Sequence, residues 1–261
     1  MGHTRLGRLA RTRRWLQVIG LLQAGATAAQ VARATMIAAE QGFTAAANDP
    51  GLQQAFWLLT QLPLAARSAQ FVERLREAGL QVSDKPSLME LMSSFSQAVD
   101  TRTTRSGGRS DVGEMAEASA LEVLSRFMKP RTQNLFGTTS QDLQSALAGV
   151  GTHRQFSNLS QDFFANFTRR CLDYFVSREV ANHVGPGERF PTLQGKRGFD
   201  EALQLHSVQA SKIVEEFSGG WFSKTNWEQE GISRDAARGF LHVAMKKLVS
   251  ELKQGASPHD A

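Results

Sequence analysis

Apolar residues recur every three or four positions along most of the chain, and no stretch alternates long enough to make a convincing strand. Residues 12–24 and 28–43 read as one or two helices, with Thr27 as a cap after Gly25. Asp49-Pro50 predicts the next start, because aspartate accepts bonds from free N–H groups and proline fits the first turn. That helix carries Leu52, Phe56 and Leu59, and Pro63 is expected to stop or kink it. Ser68 caps a helix with Phe71, Leu75 and Ala78 on one stripe, ending at Gly79. Pro86-Ser87 opens another, with Leu88, Leu91, Met92, Phe95 and Val99 at helical spacing.

Residues 101–110 hold only small, polar and basic side chains, which predicts a linker over 101–111. Beyond it the pattern gives helices over about 113–129, stopped by Pro130, then 139–149, 156–182 and 196–217. A last helix runs from a Ser233 cap to Lys253. The expectation is an all-α multi-helix bundle of about nine helices in two closely packed subdomains, 15–100 and 112–254. A basic arm (1–14) would precede them and a disordered tail (255–261) would follow. Ten of the sixteen phenylalanines lie at or beyond Phe156, so the larger core is expected in the second half.

The segment from Glu215 to Trp227 stands out. A helical run meets Gly219 and Gly220, and then Trp221, Phe222, Lys224 and Trp227 follow within a few residues. Paired glycines permit tight turns or close approach. Tryptophans beside them supply large contact areas with a polar edge. The expectation is a helix end at the glycines followed by a docking loop, with Trp221, Phe222, Lys224 and Trp227 at a protein interface.

Composition adds limits. The 261 residues with 41% hydrophobic and 21% charged content are those of an ordinary globular chain. A single cysteine, Cys171, excludes an internal disulfide framework and cysteine-based zinc sites, and its neighbours Phe167, Leu172 and Phe175 predict a buried thiol. Neither a cofactor nor a metal is expected, because no Walker loop, dinucleotide glycine pattern or His-Glu-x-x-His spacing occurs.

Charge is unevenly placed. Arg5, Arg8, Arg11, Arg13, Arg14 and Arg33 precede the first acid, Glu40; the whole chain is +5, so the rest sums to −1. Such an arm suits nucleic acid, an acidic membrane surface or an acidic partner, and equally a solvated tail. Thr12-Arg13-Arg14-Trp15-Leu16-Gln17 also resembles a twin-arginine export signal, but Gln17, Gln23 and Gln30 interrupt the apolar stretch. A cytoplasmic location is therefore expected, with no membrane span.

Candidate chemistry centres on Arg178, Glu179 and His183. Glu179 and His183 are four apart, about 40° round a helix, so a carboxylate can orient an imidazole for acid–base work or simply pair with it near a helix C-terminus. Arg178 and His183 show the Arg-x4-His spacing that resembles HEPN-type ribonucleases, an all-helical family. The resemblance implies metal-independent RNA cleavage, with His183 moving the 2′-hydroxyl proton and Arg178 holding phosphate. Glu179 departs from the polar Asn, Asp or His that usually follows the family's arginine.

Ile213 to Trp227, with Asn182-His183-Val184-Gly185-Pro186-Gly187, resembles uncharacterised helical proteins encoded in bacterial anti-phage defence clusters. This likeness covers the last hundred residues and contains no catalytic motif. It implies a partner-dependent, non-catalytic subunit of a multi-protein system, contacting other protein subunits or nucleic acid. The 22 arginines against 8 lysines fit a bacterial source with GC-rich DNA.

Overall fold

A computed structural model describes residues 12–132 and 139–254. Among them lie ten α-helices and one 3-10 turn, with no named strand. In chain order these are α1 (Arg13–Gln23), α2 (Ala28–Ala45), the 3-10 turn (Ala46–Asn48), α3 (Pro50–Ala66), α4 (Phe71–Glu77) and α5 (Leu88–Arg105). The second half holds α6 (Asp111–Thr132), α7 (Ser140–Val150), α8 (His153–Ala181), α9 (Leu193–Gln229) and α10 (Arg234–Gln254). The expected class is observed, with more elements than the nine foreseen.

The starts follow from short polar side chains. Thr27 and Gln30 form a reciprocal capping box at α2, and Thr139 with Asp142 repeats it at α7. Asp49 accepts the N–H groups of Gly51 and Leu52 at 2.8 and 3.1 Å. Its other carboxylate oxygen receives the Ser110 hydroxyl at 2.5 Å, and Ser110 accepts the Gly113 N–H at 2.9 Å. One carboxylate thereby serves the starts of both α3 and α6. Gly51 and Gly113 let these ends meet: a Cβ on Gly51 would lie 2.5 Å from the Gly113 Cα.

Three expected breaks are corrected. Pro63 lies inside α3, which continues to Ala66 because Leu62, Ala65 and Ala66 are buried beyond it. The α6 backbone likewise stays helical past Pro130 to Thr132. Residues 101–105, expected as linker, are the last turn of α5; Thr103 is buried there and its hydroxyl bonds the Asp100 carbonyl at 2.9 Å. The connection narrows to the few residues round Gly107 and Gly108, whose φ of 112° and 123° only glycine adopts readily. Buried side chains on both sides of it belong to one cluster, from Trp15 to Leu252.

Helices α8 and α9, of 29 and 37 residues, form the most extensive pair. They are about 43 and 55 Å long and run antiparallel, Gly219 lying beside His153 and the Gln161 amide reaching the Val208 carbonyl. Against them α3 delivers Phe56, fully buried among Phe163, Phe164, Trp221 and Phe240 at centroid separations of 5.0 to 6.0 Å. Helices α2 and α10 close the bundle on one side, and α6 on another.

Candidate functional site

The Gly219-Gly220 pair does not end a helix. α9 passes through it to Gln229, which corrects the expected loop. The glycines serve close helix contact: a Cβ on Gly219 would lie 2.3 Å from the His153 carbonyl oxygen and 2.4 Å from the Ser157 hydroxyl. Because the helix continues, the residues after it are sorted by helical angle. Phe222 is buried and stacks on Phe156 at 4.0 Å, so it is core and not the interface anchor expected of it. Trp221 is half-buried against Phe240 at 4.3 Å and turns inward as well. Lys224 is exposed and loosely paired with Glu228 at 3.8 Å. Trp227 is 87% exposed.

Beyond Trp227 the chain reverses. Glu230 takes a left-handed φ of 51°, uncommon for a residue with a side chain, and Gly231 follows at 149°. The Ile232 carbonyl then accepts both the Trp57 indole N–H and the Gln61 amide at 3.0 Å, tying the turn to α3. Between this turn, α3 and α4 lies an open groove of about 510 Å³. Trp57, Leu64 and Ala78 line it, with Arg67, Arg74 and Gln229 among its polar groups. Trp227 projects from the same final turn of α9 as the groove residues Asn226 and Gln229, on a face about 100° round the helix from Asn226. A groove that mixes apolar and polar side chains, next to a turn carrying an exposed indole, can seat a protein segment.

The histidine site differs from its expected form. α8 stops at Ala181, Asn182 caps it, and His183 lies beyond helical register with Glu179. The carboxylate facing the imidazole is that of Glu188, whose Oε2 lies 3.5 Å from His183 Nδ1. Glu188 comes from the turn that folds back through Gly185 and Gly187, closed by the Phe190 N–H on the His183 carbonyl at 2.9 Å. The His183 side chain is only 13% exposed. The side chain of Arg178 lies outside the described residues. His183 and Trp221 are not brought together: Gly219 meets the start of α8, His183 follows its end, and Ser157 to Ala181 spans about 36 Å.

Arg5, Arg8 and Arg11 of the basic arm, like the tail 255–261, lie outside the described residues. Arg13 and Arg14 are exposed on the first turn of α1, and Arg14 donates to the Ile37 carbonyl at 3.2 Å. Cys171 is fully buried, and burial, followed by the nearby Asp173 charge, pushes its thiol pKa well up. Among the described residues no group of three or more His, Cys, Asp or Glu is placed to hold a metal, and no helix is long and apolar enough to cross a membrane.

Two arginines that sequence alone did not single out hold structural positions. Arg189 donates to the Leu22 carbonyl at 2.8 Å and to that of Ala26, and its guanidinium lies 4.9 and 5.1 Å from the Phe190 and Phe199 ring centres. It neutralises the carbonyl end of α1, and burial lowers its pKa. Arg234 lies over the Trp57 ring at 3.7 Å. Phe190 beside Arg189 was the one local signal; Trp57 is too far along the chain from Arg234 to announce a stack. Compared with protein-family models, curated proteins and solved structures, the chain matches none.

Proposed function

We propose that this chain is a non-catalytic, all-helical interaction subunit of a multi-protein bacterial complex of the kind found in anti-phage defence. It contacts a partner protein through the groove beside the α9–α10 turn, and nucleic acid or an acidic partner through the amino-terminal arginines. The observation that carries the reading is Trp227: a large indole left 87% exposed on the last turn of α9, the turn that also contributes Asn226 and Gln229 to an open groove. Exposed tryptophan gains most by being covered, and tryptophan and arginine dominate the energetics of protein interfaces.

Co-purification of the tagged chain with the products of neighbouring genes tests it. A stable partner whose association is lost in Trp227→Ala supports the reading. Absence of any such partner, together with absence of nucleic-acid binding, overturns it. Arm-mediated nucleic-acid binding should fall steeply with salt and vanish on deletion of residues 1–14.

A further inference from the structure

The outer side of α5 carries a second groove, which shares no lining residue with the one beside the α9–α10 turn. Met89, Met92, Ser96 and Asp100 recur at three- and four-residue intervals, so they lie on one side of the helix over about 16 Å. With Leu121 of α6 they border an open depression of about 450 Å³. Met89 is 75% exposed, and Met92 and Leu121 are half-buried, so three large apolar side chains meet solvent along it. Two of the three are methionines, whose flexible thioether chains adapt to the shape of an incoming segment.

One end of this groove is acidic. Asp100 also borders a narrow cleft with Arg109, Glu114 and Glu117, and none of the groove's own lining side chains is cationic. Arg109 pairs with Asp100 at 2.6 Å, and the Ser96 hydroxyl donates to Oε1 of Glu117. Burial pushes the Glu117 carboxyl pKa up, and the Asp100 and Glu114 charges push the same way, against Ser96 and Arg109. Three carboxylates against one guanidinium leave this end negative, a balance that an incoming lysine or arginine completes. The same charge repels phosphate and anionic lipid, which favours a protein segment as the occupant.

We propose that the α5–α6 groove binds a basic amphipathic helix of a partner protein, its apolar face on Met89, Met92 and Leu121 and a lysine or arginine at one end meeting Asp100 and Glu117. A helix in such a groove places anchors three, four and seven residues apart, and about three turns match the length available. The apolar side chains supply the contact area, and the carboxylates at one end fix which way the helix lies. The surface is separate from the arm and from the Trp227 turn, so it stands or falls apart from the reading above.

Fluorescence anisotropy of a labelled two-heptad peptide, leucines on one face and lysines on the other, titrated with the full chain is the test. A twin peptide with glutamate in place of lysine is the control. The lysine peptide should bind saturably, and the glutamate peptide about tenfold more weakly or not at all. Met89→Gln, at an exposed position, and Glu117→Gln, which can still accept the Ser96 hydroxyl, should each keep the wild-type Tm and weaken binding about fivefold or more. No saturable binding, equal binding of the two peptides, or undiminished binding in both variants, as when the peptide sits beside the α9–α10 turn instead, overturns the proposal. So does loss in only one of the two variants, because apolar contact and charge must act together. Self-association of the free chain that disappears in Met89→Gln, read by sedimentation, also overturns it by making a second copy the occupant.

Discussion

The Cα of Gly219 faces the His153 carbonyl so closely that a Cβ would lie 2.3 Å from its oxygen, whereas a Cβ on the adjacent Gly220 would meet nothing nearer than the His153 Nε2 at 3.7 Å. Two neighbouring glycines of one helix are therefore opposite in kind. Gly219→Ala forces α8 and α9 apart over backbone that cannot yield, and should cost about 1–3 kcal/mol. Gly220→Ala fits and removes the entropic penalty of glycine in a helix, and should stabilise by about 0.5–1 kcal/mol. Urea unfolding of the two variants checks both signs; equal effects would show that the close seam is not formed.

Arg189 ties the end of α1 to the α8–α9 connection through the carbonyls of Leu22 and Ala26. Its replacement by alanine should cost about 2 kcal/mol, since hydrogen bonds from a charged donor are lost. The loss should be local, seen as faster amide hydrogen exchange in α1 and the start of α2. Arg189→Lys should not restore protection, because an ammonium cannot reach both carbonyls as a fork does. Full protection in the lysine variant would refute the clamp.

Most helix starts were legible because a cap is a local event; Ser68 was the exception, since its hydroxyl accepts the Gln70 N–H at 3.1 Å and α4 begins at Phe71 with no side-chain cap. Thr27, Asp49, Ser87 and Ser233 each bond N–H groups within three residues of themselves, and each was readable from its neighbours. The Gly219-Gly220 pair was not, because a glycine that breaks a helix and one that admits a second helix look identical in sequence. The difference lies in His153 and Ser157, more than sixty residues away. The same holds for Pro63, whose helix persists on the strength of tertiary burial. Of the candidate site, the type of residue was readable and its facing was not: once α9 is continuous, helical angle alone buries Phe222 and exposes Trp227.

His206 is buried in α9, and both ring nitrogens lack a hydrogen-bond partner. Burial lowers its pKa below the ordinary 6.5, so the unfolded chain takes up a proton at a pH where the folded one does not. Its contribution to stability is intact above pH 6.5 and is lost as pH falls toward the folded value, at no more than about 1.4 kcal/mol per unit. Glu117, Asp162 and Asp173, with pKa values raised first by burial, act with the opposite sign: their contribution is present below their ordinary values and lost as pH rises through the raised ones. His206→Leu removes the first effect and leaves the second. Denaturant midpoints measured between pH 5 and 7 should therefore fall with acid in wild type and much less in the variant; parallel curves would exclude His206 as the titrating group.

Trp221 and Trp227 lie six residues apart on one helix, and their replacement separates folding from association. Trp221 packs against Phe240 and Phe56, so Trp221→Ala removes part of the aromatic cluster and should cost about 3 kcal/mol. Trp227 is 87% exposed, and Trp227→Ala should change stability by less than about 0.5 kcal/mol. Binding to a partner should show the reverse order. Trp227→Ala should weaken it by about 2 kcal/mol or more, as truncating an aromatic anchor at an interface does, while the folded fraction of Trp221→Ala should bind as wild type does. Calorimetric titration of each folded variant with the co-purified partner reads the difference. An unchanged affinity in Trp227→Ala would remove the α9–α10 turn as the docking surface, even if a partner exists.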